Sequence, residues 1–144
     1  MTIKETLLTW SRSTFAHVAF SFVMMGGWAV FANAAHPMPK PLIAGFLQGA
    51  LSGLITLGMK KALEALFAFW CQRGRPNTGL VATPLMVCSV SATSLLICHA
   101  LAGTPELIAT IIVPSSVAVF YAYVYTFSLW KFRGDEQAAT ETEQ

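Results

Sequence analysis

Residues 41–58 have the sequence PLIAGFLQGALSGLITLG, which contains no charged residue and is followed by Met59 and two lysines. A helix needs about 17–25 mostly apolar residues to cross a bilayer, so this stretch is long enough to do so. Gly45, Gly49 and Gly53 recur every four residues and therefore share one face of a helix. Because small residues let helix backbones approach closely in lipid, the stretch predicts a transmembrane helix that packs through a glycine stripe.

The composition of the whole chain is that of a membrane protein. Of its 144 residues 55% are hydrophobic and only 11% are charged, against about 25% charged in soluble domains. Three further segments, 14–35, 84–102 and 107–130, contain no Lys, Arg, Asp or Glu. We therefore predict an all-α integral membrane protein, in which residues 1–133 form one bundle of four transmembrane helices. The predicted spans are residues 14–35, 41–59, 82–102 and 105–130, and residues 134–144 are predicted to form a flexible acidic tail.

The positive charges predict the orientation of the chain. With four spans, eight of the nine Lys and Arg residues fall on one side and only Lys40 falls on the other. The positive-inside rule then places both termini in the cytoplasm, in keeping with a bacterial inner membrane. Residues 32–34, Ala-Asn-Ala, resemble a signal-peptide cleavage site. The uncharged run before them is longer than the usual segment of about 7–15 residues, so we predict that the first span is not removed.

After the second span the apolar residues recur with helical spacing and share one face: Leu63, Leu66, Phe67 and Trp70. This pattern predicts a short amphipathic extension of the second helix at the cytoplasmic surface. The alternative is a span shifted later in the chain, with Lys61 and Glu64 inside the membrane as an ion pair. Charged groups are costly in lipid, which favours the surface extension.

Polar side chains within the predicted spans could line a path for a solute or could hydrogen-bond between helices. The candidates for the path are His17, Gln48, Ser52, Thr56, Ser91, Ser94, Tyr121 and Tyr125. Pro114 removes a backbone hydrogen bond within the fourth span and is a candidate hinge.

Catalytic and metal-binding patterns are absent from the sequence. It contains no nucleophile elbow, HExxH motif, P-loop or dinucleotide fingerprint, so we predict that the chain is not an enzyme. His36, His99 and Glu106 are the candidate metal ligands, since imidazole and carboxylate groups bind divalent metals. Nothing in their spacing brings them together, and we predict neither a metal site nor a cofactor.

These features predict a small transport protein for a neutral, hydrophobic or lipid-like solute, working as a homo-oligomer, with a dimer favoured. An accessory or assembly subunit is the alternative, because the glycine stripe could equally bind a larger membrane protein. A third hypothesis, a lipid-modifying enzyme, requires His or Ser side chains to converge in a cavity. Membrane lipids are expected partners and nucleic acid is not, since the positive residues are sorted by membrane side.

Overall fold

The computed structural model describes the backbone of residues 14–142 and the side chains of residues 15–134. This part of the chain is entirely helical, without a strand, and comprises α1 (Thr14–Ala32), α2 (Lys40–Gln72), α3 (Pro76–Leu101) and α4 (Leu107–Thr142). All four helices are long and apolar enough to cross a membrane, which confirms the prediction of four membrane-spanning-capable helices. Lys4 and Arg12, which contribute to the predicted orientation, lie outside the described residues, as do residues 143 and 144.

Glycines terminate two of the helices in the same way. Gly74 follows α2 and Gly103 follows α3, with φ angles of 69° and 64°. In this left-handed conformation the N–H of Gly74 bonds Cys71 O at 3.0 Å, and the next N–H, of Arg75, bonds Trp70 O at 3.0 Å. The bonds after α3 follow the same pattern, which is the Schellman motif. The chain can therefore reverse within a few residues at both places.

Three helix boundaries differ from the predicted spans by more than three residues. The helix α3 begins at Pro76, several residues before the predicted start, and it continues through Pro84. A proline at the first helical position loses no hydrogen bond, so Pro76 suits this start. Helix α4 passes through Pro114 and extends to Thr142, into the segment predicted as a tail. Helix α2 runs without a break to Gln72, so the predicted amphipathic extension is the final part of α2 itself.

The described residues divide into two compact units, each with its own core. Unit 1 contains residues 14–58 and 91–115, and unit 2 contains residues 59–90 and 116–142. Buried residues of unit 1 include Ala29, Ala44 and Leu95, together with the polar residues Asn33, Gln48, Ser52, His99 and Thr110. Buried residues of unit 2 include Leu63, Phe67, Cys71, Cys88 and Ala122. Five of the seven buried polar residues in the described part of the chain therefore lie in unit 1, whereas unit 2 buries Thr83 and Thr126.

Candidate functional site

The glycine stripe of α2 packs against α1 of the same chain. A Cβ atom added to Gly49 would lie 2.8 Å from the backbone oxygen of Phe22. One added to Gly53 would lie 3.2 Å from a methyl carbon of Val18, and one added to Gly45 would overlap the side chain of Val30. All three glycines therefore occupy positions where α1 leaves little or no room for a side chain.

Helix α1 contributes a glycine of its own to this contact, which the sequence analysis did not single out. A Cβ atom on Gly26 would lie 2.7 Å from the backbone oxygen of Gly45 and 3.4 Å from Cα of Gly49. The signal in the sequence is the pair Gly26-Gly27 within an apolar run, but only Gly26 faces α2, since Gly27 has open space around it. The face of α2 that was predicted to bind a partner is thus covered by α1.

A chain of hydrogen bonds joins α2 to the end of α3 inside unit 1. The Gln48 amide donates to Ser52 Oγ at 2.8 Å, and its oxygen Oε1 lies 2.8 Å from Nε2 of His99. An amide oxygen only accepts, so His99 Nε2 carries the proton. In the neutral ring Nδ1 is then the acceptor, and Thr104 Oγ1 donates to it at 2.8 Å. Both Gln48 and His99 are fully buried.

A second set of hydrogen bonds joins the end of α1 to the start of α4. The buried Asn33 amide donates to Ala29 O and to Thr110 Oγ1, both at 2.8 Å. Its oxygen accepts from the backbone N–H of Glu106 at 2.9 Å, which satisfies an N–H group just before α4. His36 Nε2 lies 2.9 Å from Glu106 Oε1 on the exposed side of this contact. We call Gln48, Ser52, His99 and Thr104 with Asn33, His36, Glu106 and Thr110 the polar cluster.

The buried side chains of the polar cluster form their hydrogen bonds with other groups of the protein. Its four fully buried members, Asn33, Gln48, His99 and Thr110, each bond another member of the cluster. Such contacts hold helices together in an apolar surrounding, where unpaired polar groups are costly. Within unit 1 the cluster therefore holds α2 to the end of α3 and the end of α1 to the start of α4, and it presents few free polar atoms to a solute.

The remaining candidate path residues of unit 1, His17, Thr56, Ser91 and Ser94, are not members of the polar cluster. Thr56 Oγ1 lies 2.8 Å from the backbone oxygen of Ser52 and 3.1 Å from Ser21 Oγ. His17 and Ser94 are exposed and Ser91 is half-buried. Each of these three residues has an interaction of its own.

An apolar groove lies on the surface of unit 1 beside α2. Its volume is about 450 Å³, and it is open on one side. The lining residues are all apolar: Leu42, Ile43, Phe46, Leu47, Ala50 and Ala102. Its volume and apolar lining fall within the range of small-molecule sites, about 300–1,000 Å³, but the groove is shallow and would leave much of a bound hydrophobic molecule uncovered.

In unit 2 the two candidate tyrosines lie beside a carboxylate. The rings of Tyr121 and Tyr125 stack with centroids 5.6 Å apart and planes inclined by 10°. The Tyr125 hydroxyl donates to Oε1 of Glu64, and Lys60 Nζ lies 3.9 Å from the same oxygen. Glu64 is half-buried, whereas Lys61 is exposed. The carboxylate is thus held by Tyr125 and Lys60, a contact between α2 and α4 that sequence spacing did not reveal.

The candidate metal ligands and the candidate hinge have ordinary structural surroundings. His36 and Glu106 pair with each other, while His99 bonds Gln48 and Thr104 instead. Within the described residues no group of three or more His, Cys, Asp and Glu side chains could hold a metal ion. Pro114 is buried inside α4, which continues as a helix on both sides of it.

The candidate site thus consists of long apolar helices joined by the hydrogen bonds of the polar cluster. Comparisons of the chain with protein-family models, with curated proteins and with solved structures returned no match.

Proposed function

We propose that the chain is an integral protein of a bacterial inner membrane, with its four helices crossing the bilayer and both termini in the cytoplasm. The support is the sorting of charge, with eight of nine Lys and Arg residues on one side of this topology. Helix α2 has 33 residues, or about 50 Å at 1.5 Å per residue, and a hydrocarbon core is only about 30 Å thick. The excess fits the end of α2 that carries Lys60 and Lys61, which extends into the cytoplasmic interface.

Within that membrane the proposed function is transport of a hydrophobic or lipid-like solute. The observation that carries this proposal is the apolar groove of unit 1, which is open toward the surroundings of α2. Phe46 and Leu42 at its edge are 71% and 54% exposed, so a molecule can enter from the side without crossing a polar surface. A solute dissolved in lipid would reach such a groove directly.

The polar cluster argues against a polar or charged solute. A transported ion or sugar needs free donors and acceptors to replace its water, and in unit 1 the buried amides of Asn33 and Gln48 are engaged with protein partners. Freeing Gln48 would leave His99 Nε2 without its acceptor in an apolar interior. The solute class is therefore narrowed to neutral molecules that need few hydrogen bonds.

The transporting form is proposed to be a homo-oligomer, with a dimer favoured. The groove is open on one side, and a second copy of the chain would close it. Because α1 covers the glycine stripe, the contact between copies would use exposed apolar residues beside the groove, such as Ile43 and Phe46 on α2, which are 51% and 71% exposed. A path between two copies also removes the need for a channel inside one small bundle.

Reconstitution into vesicles tests transport. The probe is a phosphatidylcholine with a fluorescent tail group, and the readout is the rate at which an impermeant quencher bleaches the inner-leaflet population. The protein should accelerate bleaching, and Ala50→Trp should abolish the acceleration by filling the groove. Leu54→Trp is the matched control, since Leu54 is 66% exposed on the same helix and does not line the groove. A rate equal to that of empty vesicles would contradict lipid transport.

A second candidate function, an accessory or assembly subunit, is favoured by the satisfied interior of unit 1. A unit whose buried polar groups bond one another is a rigid scaffold, and rigid scaffolds suit binding to a larger membrane protein. Mass measurement in nanodiscs distinguishes the two functions. A homodimer supports the transporter, while a monomer that co-purifies with a different membrane protein supports the accessory role.

A further inference from the structure

Four positively charged residues lie near one end of unit 2. Helix α3 starts at Pro76, and its Asn77 Oδ1 accepts a 3.0 Å hydrogen bond from Trp130 Nε1 of α4. Only residues 102–106 separate α3 from α4, so the two helices run antiparallel. Arg133 lies about one helical turn beyond Trp130, which brings it level with the turn between α2 and α3. We call the four side chains the basic cluster: Arg73, Arg75, Lys131 and Arg133.

The charges of the basic cluster are not neutralised within the described part of the chain. The ion pairs found there are His36–Glu106 and Lys60–Glu64, and neither includes a member of the cluster. The Arg73 guanidinium lies 3.4 Å from the ring centroid of Phe69, and its Nη1 donates a long hydrogen bond of 3.4 Å to the backbone oxygen of Phe69, so neither contact neutralises its charge. Arg133 Nε is buried and has no hydrogen-bond partner.

Backbone donors add to this positive potential. The N-terminus of α3, a helix of 26 residues, lies within the basic cluster, and its first intrahelical bond is from Gly79 N to Arg75 O at 3.1 Å. The N–H groups of Asn77 and Thr78 precede that bond and have no intrahelical acceptor. Free N–H groups at a helix N-terminus favour anions, phosphate oxygens in particular.

We propose that the basic cluster binds the headgroup of an anionic phospholipid. Arginine guanidinium groups donate paired hydrogen bonds to phosphate oxygens, and three of the four cluster residues are arginines. Exposed aromatic side chains flank the cluster: Phe127 is 52% and Phe132 is 69% exposed. This apolar border accommodates acyl chains beside the charged site, which favours a lipid over a free phosphate. The site rests on the membrane setting of the proposed function but not on transport.

Native mass spectrometry of the full-length protein tests the site. The protein in detergent is offered equal amounts of phosphatidylglycerol and phosphatidylcholine with the same acyl chains, and the ratio of bound species is measured. Each cation near an anionic headgroup contributes about fivefold in affinity. Wild-type protein should prefer phosphatidylglycerol, and Arg75→Gln combined with Arg133→Gln should lower that preference about 30-fold. The control variant combines Lys40→Gln with Lys61→Gln. It loses the same amount of charge outside the basic cluster, so it should keep the preference for phosphatidylglycerol.

Equal binding of the two lipids by the wild type would overturn the site, as would an equal loss of preference in the control. Displacement of the lipid by millimolar glycerol phosphate would overturn the assignment to a lipid.

Circular dichroism checks that the variants fold. If the double variant does not, Arg75→Gln alone carries the test with an expected loss of about fivefold, because the backbone bond from Arg75 to Trp70 O is unchanged. If the wild-type protein prefers phosphatidylglycerol but does not accelerate transport in vesicles, the proposed function is contradicted and the lipid site is not.

Discussion

The contact between α1 and α2 makes a quantitative prediction for Gly49→Ala. The added Cβ would lie 2.8 Å from the backbone oxygen of Phe22, where ordinary contact begins at about 3.4 Å. The helices must therefore separate by roughly 0.6 Å, because a backbone oxygen cannot rotate away. A gap of 0.5–1 Å forfeits about a quarter to a half of each dispersion contact along the seam, including that between Gly26 and Gly45.

A second glycine of α2 supplies the matched control. Gly58 has nothing within 4 Å of an added Cβ, so Gly58→Ala gains the helix propensity of alanine, up to about 1 kcal/mol, without a clash. Gly49→Ala gains the same propensity but should lose about 1–3 kcal/mol to overpacking. We expect Gly49→Ala to be less stable than Gly58→Ala by about 1–3 kcal/mol.

Reversible unfolding in mixed detergent micelles, followed by helix content or tryptophan fluorescence, gives the two free energies of unfolding. Gly49→Ala as stable as Gly58→Ala would refute the close approach of α1 to α2. The comparison does not depend on the oligomeric state, provided that both variants are measured at the same protein concentration.

Three further predictions concern the buried polar groups and the topology. Gln48→Leu removes the partner of His99 Nε2 and should lower the free energy of unfolding by about 1–3 kcal/mol. The double variant, Gln48→Leu with His99→Leu, should lose less free energy of unfolding than the sum of the two single variants. Strict additivity in this double-mutant cycle would contradict the coupling of the two residues. Thr83→Val should leave the stability unchanged or raise it by about 1 kcal/mol, because Thr83 is fully buried and its hydroxyl has no partner; a clear loss in the same unfolding assay would show that the hydroxyl is bonded. Reporter fusions to the two ends should both give cytoplasmic signals, and a periplasmic C-terminus would contradict an even number of crossings.

The four helices could be predicted because each leaves a long charge-free run in the sequence. The spacing of Leu63 and Phe67 also predicts that the end of α2 is amphipathic, but it does not say what their shared face contacts. The structure buries that face within unit 2, and Leu63 is fully buried. Periodicity shows that a helix has an apolar side, but it does not distinguish lipid from protein as its neighbour.

The glycine stripe illustrates a similar limit. A spacing of four residues predicts that something approaches α2 closely, and Gly45, Gly49 and Gly53 all have close neighbours on α1. Nothing in that spacing identifies the neighbour, because α1, another copy and a foreign protein would be accommodated equally well. The polar cluster is harder to predict from the sequence than the glycine contact. Gln48 and His99 are 51 positions apart, and their pairing depends on the register of two helices.

The distance in sequence between Gln48 and His99 bears on how the protein is made. A ribosome adds about 5–20 residues per second, so His99 is synthesised roughly 3–10 seconds after Gln48. In the proposed membrane setting, the side-chain oxygen of Gln48 in a nascent chain would lack its partner His99 throughout that interval and would need shelter from hydrocarbon. The insertion machinery would then have to retain the second helix until the third arrives, so the two are expected to leave it as a pair.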